Sequence, residues 1–191
     1  MKKLNKIIEV VSKICEVASW IVVVAAIIIC FLIGFRNTGI SELFVENIDV
    51  ISEMSSGGFT IYPMDNTNID VCYGSLMTFF ISIVFTSVFM AMIFRNIFLI
   101  FRTAEGKTKF AEGVTPFQKP VIRMVREIGI FCISIPVVNL IISVIAKVAM
   151  GADAVETSGE MMVLIFGLVI IALSQFFAYG MELESDVEGL V

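Results

Sequence analysis

Histidine is absent from the chain's 191 residues. The side chain that titrates nearest neutral pH, and the commonest metal ligand, is therefore missing. A zinc site would need thiolates or carboxylates alone. The four cysteines, Cys15, Cys30, Cys72 and Cys132, form no Cys-x-x-Cys pair and read as inert thiols in or beside apolar helices, with only Cys72 near an oxidising face. Also missing are a metal-ligand set, a nucleophile–base pair and a glycine-rich phosphate loop. No catalytic residue and no cofactor is expected, and the enzyme class is set aside. Charge is scarce as well. Charged residues make up 16% of the chain, against about a quarter in soluble domains. The balance of 13 basic and 18 acidic residues, net −5, argues against nucleic acid as a direct partner.

Apolar residues fill the gap, at 58% of the chain. That composition excludes a disordered chain, a disulfide scaffold and an ordinary soluble enzyme. The charges fall into five clusters, at 1–16, 36–70, 95–127, 147–160 and 182–188. Between them lie four charge-free runs, 17–35, 71–94, 128–146 and 161–181. A helix needs roughly 20 apolar residues to cross the hydrocarbon core. Spanning strands would alternate polar and apolar residues, and these runs do not. A helix satisfies its own backbone in lipid. The expected fold is an all-α membrane protein, a four-transmembrane-helix bundle in one domain. Its spans are about 17–35, 73–95, 128–148 and 160–181, with an outer loop at 36–72, an inner loop at 102–127 and a tail at 182–191.

The first, third and fifth clusters hold eleven of the 13 basic residues. By the positive-inside rule both termini and the middle loop are cytoplasmic. Lys2 and Lys3 look like the start of a secretory signal. The charged stretch continues to Glu16, however, and the apolar run ends without a small-residue cleavage pattern, so the first helix is read as retained.

Gly74, Thr78, Ser82 and Thr86 recur every four residues in the second span. The stripe reads as a tight helix–helix seam, with a polar conduction path as the alternative. The third span contains Pro136 and Asn139, and a proline there removes a backbone hydrogen bond. Asn139 sits deep and wants a partner. Gln175 is the candidate, with Ser134, Ser143 or Ser174 nearby in the pattern. Such a cluster either makes interhelical hydrogen bonds of about 0.6–2 kcal/mol each or lines a midplane pocket, as in transporters. No acid or base occurs within any run, so a proton relay has little to work with.

In the outer loop, Ile40, Leu43, Phe44, Ile48 and Ile51 fit an amphipathic helix. Ser55-Ser56-Gly57-Gly58 reads as a turn and Phe59-Thr60-Ile61-Tyr62 as a strand ended by Pro63. Asp65-Asn66-Thr67-Asn68-Ile69-Asp70 offers oxygen ligands but lacks the glycine and closing glutamate of a calcium loop, so no metal is expected. In the inner loop, Lys119, Arg123 and Arg126 share a helical face. The face either attracts anionic lipid or docks an acidic cytosolic partner. Arg95 and Arg102 snorkel toward headgroups, and they are candidates for ion pairs with Glu182 and Glu184 of the tail.

Thr115-Pro116-Phe117, followed by Arg123 and Arg126-Glu127-Ile128-Gly129, resembles the signature of an uncharacterised bacterial family, the YoaS-type four-span membrane proteins. Arg95-Asn96-Ile97-Phe98 is similar to that family's end of the second span. Ala178-Tyr179-Gly180-Met181-Glu182-Leu183-Glu184-Ser185-Asp186 is similar to its closing tail. The resemblance implies a bacterial cytoplasmic membrane protein. It also implies a regulatory or sensory role beside a small helix-turn-helix regulator. Thr115, Pro116, Phe117, Lys119, Arg123 and Arg126 of the inner loop are the candidate docking residues for such a partner. The alternative function is a small-molecule transporter or channel subunit built on Asn139, Ser174 and Gln175. Four spans would then need a homo-oligomer to enclose a pore.

Overall fold

The computed structural model describes residues 2–34, 54–56, 59–61, 69–112, 115, 117–150, 155–157 and 161–188. Four long helices dominate: α1 Lys2–Gly34, α2 Ile69–Ala104, α3 Lys119–Met150 and α4 Met161–Glu188. Each is long and apolar enough to cross a membrane. The fold class is all-α, as the charge map predicts, and the chain is an integral membrane protein. The helices outrun the charge-free runs at their charged ends. Lys, Arg and Glu are good helix formers, and no proline or glycine interrupts α1 before Gly34. Pro120 lies in the first turn of α3, where a missing N–H leaves no bond unmade. The expected amphipathic helix over 40–51, together with Pro116 and residues 65–68, lies outside the described residues.

Burial is inverted relative to a soluble protein. Ile14, Ile21 and Phe31 of α1 and Phe166 and Phe176 of α4 are all more than 60% exposed. Ser75, Ser82, Thr103, Ser143 and Ser174 are fully buried. Lipid is as apolar as leucine, so it supplies no drive to hide large side chains; small residues at the seams let helices approach instead.

The contacts form two compact units. Trp20–Val88 and Ile135–Met161 make one of them. Its apolar cluster centres on Ile33 and Leu76, with Ile29, Tyr73, Met77, Phe79 and Phe80 packed around them. This unit also carries a three-stranded antiparallel sheet in the order β1 (Met54–Ser56), β2 (Phe59–Ile61), β3 (Val155–Thr157). Ser55 pairs with Thr60, and Thr60 with Glu156. The strand at 59–61 matches the sequence reading. Ser55 and Ser56, read there as turn, belong to β1 instead, because two residues suffice to join antiparallel strands. Strand β3 has no clear sequence signal, since three residues carry too little alternation.

The other unit comprises Met1–Ser19, Phe89–Ser134 and Met162–Val191. Within it α3 and α4 cross at two glycines. A Cβ on Gly129 would lie 2.9 Å from the carbonyl oxygen of Gly167, and a Cβ on Gly167 would lie 2.9 Å from that of Gly129. Beside this crossing Phe89 and Phe131 pack at 6.1 Å between ring centroids.

Candidate functional site

Two places gather the polar side chains singled out by sequence. The first is Asn139, 2% exposed. Its Oδ1 accepts a hydrogen bond from Ser82 Oγ at 2.9 Å, and its Nδ2 donates to Thr86 Oγ1 at 3.2 Å. Thr78, one turn earlier on α2, donates to the carbonyl of Gly74 at 2.8 Å. The small-residue stripe of α2 therefore serves as the hydrogen-bonding face for the deep amide of α3. Gln175, the partner suggested by sequence, belongs to the other unit and is exposed. Ser174 is buried and returns its hydroxyl to Ile171 O at 2.6 Å.

The second place is the connection from α2 to α3 and what it touches. Two residues past the end of α2 stands Gly106, whose φ of 70° is a left-handed conformation that glycine adopts without strain. Gly106 N donates to Thr103 O at 3.0 Å and Lys107 N to Arg102 O at 2.9 Å, which closes the last turn. Lys107 pairs with Glu105. The hydrogen bond to that carboxylate, and then its charge, hold the ammonium above the usual lysine range. Farther on, Gln118 is 3% exposed and ties the segment together. Its Oε1 accepts from Glu112 N at 2.9 Å, and its Nε2 donates to Thr115 O at 2.5 Å.

This shape delivers Phe117 to the end of α4. A Cβ on Gly180 would meet the Phe117 ring at 2.5 Å, so a larger residue there displaces the ring. Phe117 and Phe177 lie 5.9 Å apart at 45°. Thr115 Oγ1 donates to Glu184 Oε2 at 3.4 Å. Both segments named in the family resemblance, 115–117 and 178–186, thus meet.

On the α1 side, Arg102 faces Glu9 at 3.5 Å and stacks over Phe98 at 5.5 Å. Lys13 lies over the same ring at 5.3 Å and bonds Glu16 at 2.9 Å. Asn5 Nδ2 donates to Glu105 Oε1 at 3.4 Å. Arg102 therefore pairs with α1, while Glu184, its expected partner, receives Thr115. Glu9 carries no sequence signal for this role, because nothing in the pattern says which helix lies beside Arg102.

The remaining candidates line two grooves. Lys119, Gln175, Tyr179, Glu182 and Asp186 border one of ≈ 590 Å³. Arg95, Lys119 and Arg123 border another of ≈ 550 Å³, beside Asn96, Phe110 and Glu127. Arg126 is exposed. Among the described residues no three His, Cys, Asp or Glu side chains cluster as a metal site. Cys15, Cys30 and Cys132 are free thiols. Compared with family models, curated proteins and solved structures, the chain finds no match.

Proposed function

We propose that the protein is a non-enzymatic membrane regulator or sensor of the YoaS type. It holds a cytosolic protein, such as a small helix-turn-helix regulator, on the face built by residues 105–112, Thr115, Phe117, Gln118 and the end of α4. The observation that carries this reading is Phe117 seated on Gly180. Two segments about 60 residues apart are locked into one surface. That surface sets the basic side chain of Lys119 in one groove with the acidic ones of Glu182 and Asp186. Mixed charge on a shaped face suits selective docking, since complementary charges steer a partner and like charges exclude wrong ones. The eleven basic residues of the first and third charge clusters support a cytoplasmic position for this face, with the chain in the bacterial cytoplasmic membrane.

A transporter or channel subunit is the second reading. Asn139 favours the regulator, because its amide already serves both hydroxyls of its own seam and presents a packed contact rather than an open midplane pocket.

A photocrosslinking residue in place of Lys109 tests the docking face in living cells. One cytosolic protein is expected to be captured. Removing the Phe117 ring loses about 1.5–2 kcal/mol of burial, which raises the undocked population about tenfold or more. Phe117→Ala and Gly180→Leu should therefore cut the yield steeply at unchanged protein level. No captured protein in the wild type, or a yield indifferent to both substitutions, overturns the reading.

A further inference from the structure

We infer that the groove lined by Arg95, Lys119 and Arg123 binds the headgroup of an anionic phospholipid. Three cations border this groove and one acid does, Glu127. That acid is already engaged. Its Oε1 accepts from Arg123 Nε at 2.9 Å and its Oε2 from Asn96 Nδ2 at 3.2 Å. Among the described residues neither Arg95 nor Lys119 has an acidic partner in ion-pair range. Arg123 keeps its two terminal nitrogens beyond the bond from Nε. Lys119 also borders the neighbouring groove with Glu182 and Asp186, without an ion pair to either. The groove thus holds net positive charge in a shape that suits a phosphodiester: guanidinium forks for paired oxygens and an ammonium as a point charge.

Position selects the lipid over a soluble anion. Arg95 is the first residue beyond the charge-free run 71–94, and Glu127 is the last before the run 128–146. The groove therefore lies at the boundary of two spans, the depth at which headgroups sit. Its other walls are apolar. Met92 reaches back into the spanning run, and Phe110, 63% exposed, stands at the rim, where aromatic rings favour the interface. A phosphate would lie among the cations with its glycerol and first methylenes against Met92 and Phe110. A zwitterionic lipid would bring its own cation and gain less. Basic pockets between spanning helices bind anionic headgroups by the same physics. The lipid site does not require a protein partner.

The test uses the full chain in nanodiscs of phosphatidylcholine with a minor share of phosphatidylglycerol, read by native mass spectrometry after release. Retained phosphatidylglycerol is expected on the wild type, with phosphatidylcholine lost. Arg95→Gln with Lys119→Gln should reduce retention about 30-fold, from the usual contribution of two basic residues near a headgroup. Lys3→Gln with Lys6→Gln removes the same charge from exposed positions on α1 that do not line the groove and should change retention less than about twofold. If the first pair disturbs folding, Lys119→Gln alone, at an exposed position, should still lower retention about fivefold. Glycerol phosphate at millimolar concentration should not displace the lipid. Equal loss in both double variants would overturn the inference in favour of diffuse surface charge. Displacement by glycerol phosphate would overturn it in favour of a free-anion site. Equal retention of phosphatidylcholine would overturn it outright.

Discussion

Replacing Gly129 with alanine is expected to destabilise the protein by about 3 kcal/mol, in the range of overpacked interiors. This is so even though alanine favours a helix by about 1 kcal/mol over glycine. The new methyl would lie 2.6 Å from Ile171 Cγ1, 2.9 Å from Gly167 O and 3.0 Å from Ile171 N. Two of those three atoms are backbone and cannot swing aside, so α3 and α4 must part. The same change at Gly34 meets only Met77 Cε, at 3.2 Å. That is the far end of a flexible chain, and Gly34→Ala should be neutral or slightly stabilising. Gly167→Ala should match Gly129→Ala, and the pair together should cost less than their sum, because a gap opened once serves both. Unfolding in mixed detergent micelles, titrated with a denaturing detergent, reads all four variants. If Gly129→Ala is tolerated as well as Gly34→Ala, the helices do not cross at this point.

Asn139→Asp should make stability depend on pH. The substitution keeps the shape of the amide and replaces Nδ2 by an ionisable oxygen. An ionised carboxylate deep in a span costs about 2.5–3.5 kcal/mol, and it repels the lone pairs of Thr86 to which Nδ2 now donates at 3.2 Å. A protonated carboxyl restores the donor for Thr86 and keeps the acceptor for Ser82. Its pKa in the folded protein is therefore raised above about 3.9, the unfolded value. The folded state binds more protons between the two pKa values, so stability is retained below the window and lost as pH rises through it. About 3 kcal/mol should be missing at pH 8, about half of it recovered near pH 5 and most of it near pH 4, relative to the wild type measured at each pH. Asn139→Leu should lose about 1–2 kcal/mol at both. A pH-independent Asn139→Asp would show the site to be wet, and that outcome favours the transporter reading.

What the sequence disclosed, and what it withheld, follows from the range of the forces. The four spans are legible because a charge in hydrocarbon is costly wherever it lies, so its exclusion marks the chain directly. The stripe 74, 78, 82, 86 and the lone deep Asn139 were each visible. Their union was not, because periodicity names a face without naming the helix it meets. On that ground Gln175 is the partner the sequence suggests for Asn139, and it is exposed. Gly129 and Gly167 each stand within an apolar run, and small residues there are a seam signal that could have located the crossing. Gln118 carried no such mark. Its two hydrogen bonds exist only once Glu112 and Thr115 have been folded back toward it, and that geometry is tertiary. The same holds for Phe117, whose place on Gly180 needs the end of α4 to be there.

Labelling of single cysteines with a membrane-impermeant maleimide in whole cells addresses the four crossings most directly. Cysteines are placed one at a time at Lys3, Ser55, Lys109, Thr157 and Ser185, in a chain whose Cys15, Cys30, Cys72 and Cys132 are replaced by alanine. Positions 55 and 157 share one sheet and should react in intact cells. Positions 3, 109 and 185 should react only after permeabilisation. Reaction of positions 3 and 109 from opposite sides, or of 55 and 157 from opposite sides, would contradict the account.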